Sequence, residues 1–142
     1  MSCFVVDASV ALKWVIGEVG EEAALRLRGA MLTAPEILLA ECGSALRAKA
    51  RRREIDEHEA HDALASLHAA PVVLAPLSEL VADALHLAFL LAHPIYDCLY
   101  LALAMQTGTR LVTADRRFAD AVRRHPPLAD RIVPLDDVPQ AL

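Results

Sequence analysis

Four carboxylates, Asp7, Glu41, Asp97 and Asp115, each interrupt or end an otherwise apolar segment. Asp7 closes the run Cys3-Phe4-Val5-Val6, and Asp115 follows Leu111-Val112-Thr113-Ala114. Glu41 sits inside Ile37-Leu38-Leu39-Ala40-Glu41-Cys42, and Asp97 inside Pro94-Ile95-Tyr96-Asp97-Cys98-Leu99-Tyr100-Leu101. Acidic side chains rarely sit among apolar ones unless they are paired or hold a metal. No Lys or Arg lies within the segments around the first three, so a shared cation is the natural compensation. Hard oxygen donors with no accompanying His or Cys favour Mg²⁺ or Mn²⁺ over Zn²⁺. Such ions lower the pKa of bound water and stabilise charge on the attacking and leaving oxygens of a phosphodiester. The pattern reads as four acids converging on one site.

The elements that must carry these acids alternate. Cys3 to Val6 is a short apolar strand, followed by a helix from about Ala8 to Ile16. Gly17 and Gly20 flank a turn before a helix over Glu21 to Arg28, and Met31 to Thr33 is a weak strand closed by Ala34-Pro35. A long helix from about Glu36 to Arg52 carries the apolar stripe Leu38, Leu39, Cys42, Ala45 and Leu46. Asp56 with Glu59 three residues on is a capping box opening a helix to about Ala69. Val72-Val73-Leu74 is a strand, and Ser78 caps a helix to about Leu91. Pro94 restarts a helix through Met105, stopped by Gly108. Arg110 to Thr113 is a strand, Asp115 caps a helix to about His125, and Ile132-Val133 is a last short strand. Strands separated by helices imply an α/β fold with a mostly parallel sheet covered on both faces.

In such sheets function gathers at the carboxyl ends of strands, near a switch in strand order. Asp7 and Asp115 both fall at strand-to-helix junctions, where Asp is also a favoured N-cap. Taken singly, each is explained by capping, and one carboxylate can do both. Glu41 and Asp97 carry more of the argument. Glu41 lies at the margin of its helix's apolar stripe. Asp97 is surrounded by apolar residues; the helix dipole explains its sign but not its burial. Ser9 and Thr113, two positions from Asp7 and Asp115, are placed to orient a carboxylate or water, or equally to make local hydrogen bonds.

Composition frames these residues. A chain of 142 residues with 56% hydrophobic content fits one domain over 1–142 with a sizeable core. No apolar stretch reaches the roughly 18 residues of a membrane span, and the N-terminus has no signal-peptide pattern. Cys3, Cys42 and Cys98, each embedded among apolar residues, read as buried thiols of a reduced cytoplasmic protein. Net charge is −5, but setting the four acids aside leaves the rest of the chain near neutrality. Basic residues bunch at Arg47, Lys49, Arg51, Arg52 and Arg53, and at Arg116, Arg117, Arg123 and Arg124. These are solvated helix faces or, beside a metal site, phosphate contacts; Arg51, Arg52, Arg53 and Arg116 are the candidates for phosphate. His58, His61 and His68 on one polar helix read as a solvent face, and Trp14 as core or a subunit contact. No phosphate-cradling loop and no nucleophile elbow occurs.

Val5-Val6-Asp7-Ala8-Ser9-Val10-Ala11-Leu12-Lys13-Trp14, Ala34-Pro35-Glu36-Ile37-Leu38-Leu39-Ala40-Glu41, Tyr96-Asp97-Cys98-Leu99-Tyr100-Leu101-Ala102-Leu103-Ala104 and Leu111-Val112-Thr113-Ala114-Asp115 occur in that order. With them the chain resembles, over essentially its full length, PIN-domain proteins of the VapC type, toxins of VapB–VapC toxin–antitoxin pairs. The resemblance implies a three-layer α/β/α fold and a Mg²⁺- or Mn²⁺-dependent ribonuclease. It also implies a homodimer and a small VapB-like antitoxin that reaches into the acidic pocket. Asp7, Glu41, Asp97 and Asp115 would be the metal-binding acids, with Thr113 supporting. Cys98 stands where the family pattern has a small residue such as alanine. A non-catalytic binding module of the same fold, acting through dimerisation and partner or RNA contact, is the alternative.

Overall fold

The computed structural model describes residues 2–17 and 19–142. Five parallel strands form one sheet in the order β3-β2-β1-β4-β5, where β1 is Cys3–Val6, β2 Met31–Pro35, β3 Val72–Ala75, β4 Arg110–Thr113 and β5 Ile132–Pro134. The chain steps outward from β1 to β2 and β3, then returns to the other side of β1 to place β4 and β5. The strand order therefore reverses between β1 and β4. Their register pairs Val5 with Leu111 and Val6 with Val112, so Asp7 and Thr113 emerge side by side at the carboxyl edge.

Alternation along β1 divides the core in two. Val5 faces a cluster built with Ala34, Leu111 and Ile132 from α1 (Ala8–Ala11), α3 (Leu38–Arg51), α4 (Glu57–Ala69), α5 (Val81–Leu91), α6 (Ile95–Thr107) and α7 (Arg116–Arg123). Phe4 and Val6 face the other cluster, closed by Ala24 and Leu27 of α2 (Glu21–Leu27) and by Leu135 and Val138. Helices thus cover both faces, the expected three-layer α/β/α arrangement. α6 is the central helix of the thicker layer: Cys98 through Ala104 are all buried, so it is apolar all round and packed between sheet and α5. Burying Leu99, Leu101 and Leu103 contributes about 2 kcal/mol each.

The expected elements are present with shifted ends. Helical geometry after Asp7 persists only to Ala11 before tightening into a 3₁₀ turn over Leu12–Trp14. β2 runs on through Pro35, because the Glu36 N–H bonds the Ala75 carbonyl and keeps the chain on the sheet, so α3 begins at Leu38 rather than Glu36. The capping box at Asp56 forms: its side chain accepts from the Glu59 N–H at 2.7 Å while Glu59 accepts from the Asp56 N–H at 3.2 Å. Ser78 caps nothing. Residues Leu77–Glu79 form a separate 3₁₀ turn, and α5 starts at Val81 without a side-chain cap. Cys3 is a further correction. Cys42 and Cys98 are buried, but Cys3 is exposed as the first residue of β1, at the amino end of the sheet.

Trp14 is half-buried against both clusters, its indole N–H donating to the Ala24 carbonyl at 2.7 Å with the Arg28 guanidinium 5.9 Å from the ring centre. His58, His61 and His68 are exposed, as expected of a solvent face. Among the described residues no single helix is long and apolar enough to cross a membrane.

Candidate active site at the carboxyl edge of the sheet

Asp7 leaves β1 and caps α1, its Oδ1 accepting the Val10 N–H at 3.2 Å. Its carboxylate also accepts the hydroxyls of Ser9 and Thr113. Those hydroxyls are in turn held by backbone: Ser9 Oγ accepts the Ala114 N–H and Thr113 Oγ1 the Asp115 N–H, both at 3.0 Å. The three side chains thus tie the β1–α1 junction to the β4–α7 junction across the reversal in strand order. Asp7 is 7% exposed and Thr113 fully buried. Burial pushes the Asp7 carboxyl from 3.8 up to about 6, against the pull of Ser9, Thr113 and the Val10 N–H, with the Asp97 charge adding to the rise.

Glu41, in the first turn of α3, accepts the Tyr100 hydroxyl at 2.6 Å. Tyr100 is 1% exposed, so its polar tip has this carboxylate as the partner its burial demands. Burial raises the Glu41 carboxyl, the Tyr100 bond lowers it, and the Asp97 charge raises it again. Asp97 is in the first turn of α6, and its Oδ2 lies 2.6 Å from His93 Nε2. His93 is delivered by a reversal at Ala92, whose φ of 48° is left-handed and whose strain, about 1 kcal/mol, is carried by the 115° bend from α5 to α6. The imidazole lies against the Phe118 ring at 4.6 Å.

Asp115 is exposed and caps α7, its Oδ1 accepting the Phe118 N–H at 3.2 Å. It is on the wall of a cavity of about 460 Å³ that also has His93, Arg117 and Arg124 in its lining. Asp7, Glu41 and Asp97 therefore share one electrostatic neighbourhood, with Asp97 common to both couplings, while Asp115 borders it. Each acid is fastened to its own donor. As they stand, no three His, Cys, Asp or Glu side chains among the described residues are set to hold one ion together. The donor chemistry nonetheless fits a hard divalent cation: carboxylates with hydroxyl support, two of them driven toward protonation by burial and like charge. Burial pushes the adjacent Cys42 and Cys98 thiols to about 12 and about 11, so neither supplies a thiolate.

Two participants escaped the sequence reading. His93 had a signal in its spacing of four residues from Asp97, an ion-pair spacing on a helix, although here Pro94 intervenes. Tyr100 had one in its hydroxyl amid an apolar run. The basic runs are partly engaged at the surface. Arg52 and Lys49 pair with Glu54 at 3.2 and 3.7 Å, Arg116 with Asp136 at 2.5 Å, and Arg123 with Asp137 at 3.4 Å. Arg53 takes a left-handed φ of 61° just past α3, and Arg51 faces a groove of about 540 Å³ between α3 and α4.

Residues 4–123 match the PIN domain family. The chain belongs to the PIN-domain family. Ribonuclease VapC12 of Mycobacterium tuberculosis is 32% identical over 118 residues, spanning 82% of this chain and 90% of that one. Solved PIN-like folds superpose along most of the chain. A protein from Pyrobaculum aerophilum gives a TM-score of 0.67 at 23% identity, covering 95% of this chain and 85% of its own. A chain of a toxin–antitoxin complex from Klebsiella pneumoniae gives 0.66 at 15%, covering 97% of this chain and 100% of its own. VapC20 of Mycobacterium tuberculosis, a sarcin–ricin loop cleaving toxin, gives 0.61 at 19%, covering 83% and 94%. At these identities the superpositions speak for the PIN fold alone.

Proposed function

We propose that this PIN-domain protein is a VapC-type toxin, an endoribonuclease that hydrolyses RNA phosphodiesters with water activated by Mg²⁺ or Mn²⁺. The observation that carries the reading is Asp7: a carboxylate buried where strand order reverses, charged against its own desolvation, and coupled to Asp97, itself coupled to Glu41. A fold spends stability on gathered like charges where a cation or a reaction repays it.

Asp7, Glu41, Asp97 and Asp115 would hold the cation. When bound, it would lower the pKa of a coordinated water, easing its deprotonation, and supply positive charge for the phosphodiester oxygens. The protein's own contribution is positional. Ser9 and Thr113 fix the Asp7 carboxylate from both oxygens, Tyr100 fixes Glu41, and His93 fixes Asp97. The choice of Mg²⁺ or Mn²⁺ rests on an all-oxygen donor set. A reading as a non-catalytic binding module draws on the private hydrogen bonds of each acid and the lack of a ready three-ligand arrangement. The two diverge on thermal melting with Mn²⁺: a cation that binds only the folded state raises the midpoint, and a bare scaffold gives no shift.

The PIN fold occupies residues 1–142 as one domain in this proposal, working in the cytoplasm as a homodimer. Val81, Leu85 and Phe89, spaced four apart and exposed on α5, give an apolar stripe for the second copy. A small VapB-like antitoxin would be the inhibitory partner. Purified protein incubated with RNA and Mn²⁺ tests the activity directly, and RNA left intact by well-folded protein would overturn it.

A further inference from the structure

We infer that the cavity between α7 and the α5–α6 turn is a phosphate subsite, in which Arg117 and Arg124 hold the RNA backbone beside the reacting phosphodiester. This rests on the ribonuclease reading and adds to it where the substrate leaves the acids. The cavity is about 460 Å³, with Asp115, His93, Arg117 and Arg124 among its lining residues. Its acidic end is thus continuous with the candidate site, through Asp115 itself and through His93, whose ring nitrogen is 2.6 Å from Asp97. Its basic end is α7.

The four arginines of α7 and its cap separate into two stripes. Residues seven apart on a helix differ by only about 20° in direction, so Arg116 aligns with Arg123 and Arg117 with Arg124, the stripes lying about 100° apart. Arg116 and Arg123 are taken by Asp136 and Asp137 of the C-terminal turn. Among the described residues no carboxylate stands within ion-pair distance of Arg117 or Arg124, and both are exposed. The cations left without counter-charges are those facing the cavity, about 10 Å apart along the helix axis.

A neighbouring cavity offers a contrast. On the other side of Thr113 a pocket of about 230 Å³ has Lys13, Arg116 and Asp136 in its lining, but there Arg116 is paired and Lys13 donates to the Val19 carbonyl at 2.6 Å. Positive charge on that side is already neutralised or committed. A phosphodiester approaching the acids therefore meets uncompensated positive charge on the α7 side. Asp115 is the single carboxylate on that wall, and one of its oxygens is bound to the Phe118 N–H.

The test uses a fluorescent single-stranded oligoribonucleotide, with anisotropy titrated at several salt concentrations in an Asp97→Asn background that prevents cleavage. Arg117→Ala/Arg124→Ala should reduce the slope of log K against log salt by about 1.4, two contacts at about 0.7 each for a single strand, a weakening of about 25-fold at 0.1 M salt. Arg117→Lys/Arg124→Lys, which keeps both charges, should retain the slope. Arg123→Ala, which breaks a surface pair outside the cavity, should lower it by much less. Circular dichroism and melting confirm that these exposed substitutions leave the fold intact. An unchanged slope and affinity in the double alanine variant would overturn the inference while leaving nuclease activity standing. Failure of the unmodified protein to cut this oligoribonucleotide with Mn²⁺ would instead overturn the ribonuclease reading.

Discussion

Asp7→Asn should stabilise the protein at neutral pH, by an amount that vanishes in acid. Displacement of the Asp7 carboxyl from 3.8 to about 6, at about 1.4 kcal/mol per pH unit, makes its charged form about 3 kcal/mol less favourable in the fold than in the open chain. Asparagine removes that charge and is as good an N-cap as aspartate, so the Val10 N–H stays bonded. The loss is one hydroxyl partner. Ser9 and Thr113 both donate to Asp7 while each accepts a backbone N–H, and an amide offers one oxygen where the carboxylate offered two. One hydroxyl must turn its proton elsewhere, at about 1 kcal/mol. The net gain is about 2 kcal/mol at pH 8, roughly 4–8 °C in Tm for a chain of this size.

The sign follows from proton linkage. Because the folded value lies above the unfolded one, the native state binds the extra proton between about pH 4 and pH 6. Asp7's contribution to stability is full below the unfolded value and is lost as pH rises through the folded one. The variant lacks that loss, so the advantage of Asp7→Asn grows across this window and is nil or slightly negative below pH 4. Urea unfolding from pH 4 to 8 measures it. A variant less stable than the parent at pH 8, or a difference independent of pH, would refute the reasoning.

Tyr100→Phe should lower the unfolding free energy by about 1–2 kcal/mol at neutral pH by removing the charge-assisted bond to half-buried Glu41, with less effect in acid, as urea titration will show. Phe89→Glu should convert a dimer to a monomer by light scattering with little change in melting, because Phe89 is 80% exposed. Ellman's reagent should modify one thiol, Cys3, rapidly in the native state and all three in denaturant, since burial holds the other two protonated and inaccessible.

What was legible in the sequence follows how locally each feature is determined. β1 and β4 could be read because a continuous apolar run buried on both faces ends in a polar residue that caps the next helix, all within a few positions. The capping box at Asp56 and the stop at Gly108 were equally local, the glycine taking the φ of 66° that a β-carbon disfavours. Ser78 failed because its side chain fell in a separate 3₁₀ turn, which sequence spacing does not distinguish from a helix start. The partners of the acids were the least legible. Asp7 and Thr113 are 106 residues apart and meet only because β1 and β4 are neighbours; Glu41 and Tyr100 are 59 apart and meet only because α3 packs near α6. Charge at the surface was also decided at long range. Arg116, a candidate for a phosphate contact, pairs here with Asp136, twenty residues on.

The claim that the acids at the strand-order reversal form a metal-dependent ribonuclease meets its most direct test in one assay: cleavage of RNA by purified protein with Mn²⁺, with chelator, and with Asp97→Asn. The account predicts cleavage with Mn²⁺, none with chelator, and a loss of at least a hundredfold in the variant, whose melting temperature should match or exceed the parent's because one of several like charges is gone. Cleavage that survives the chelator, or a folded Asp97→Asn protein that cuts at the parental rate in saturating Mn²⁺, would contradict it.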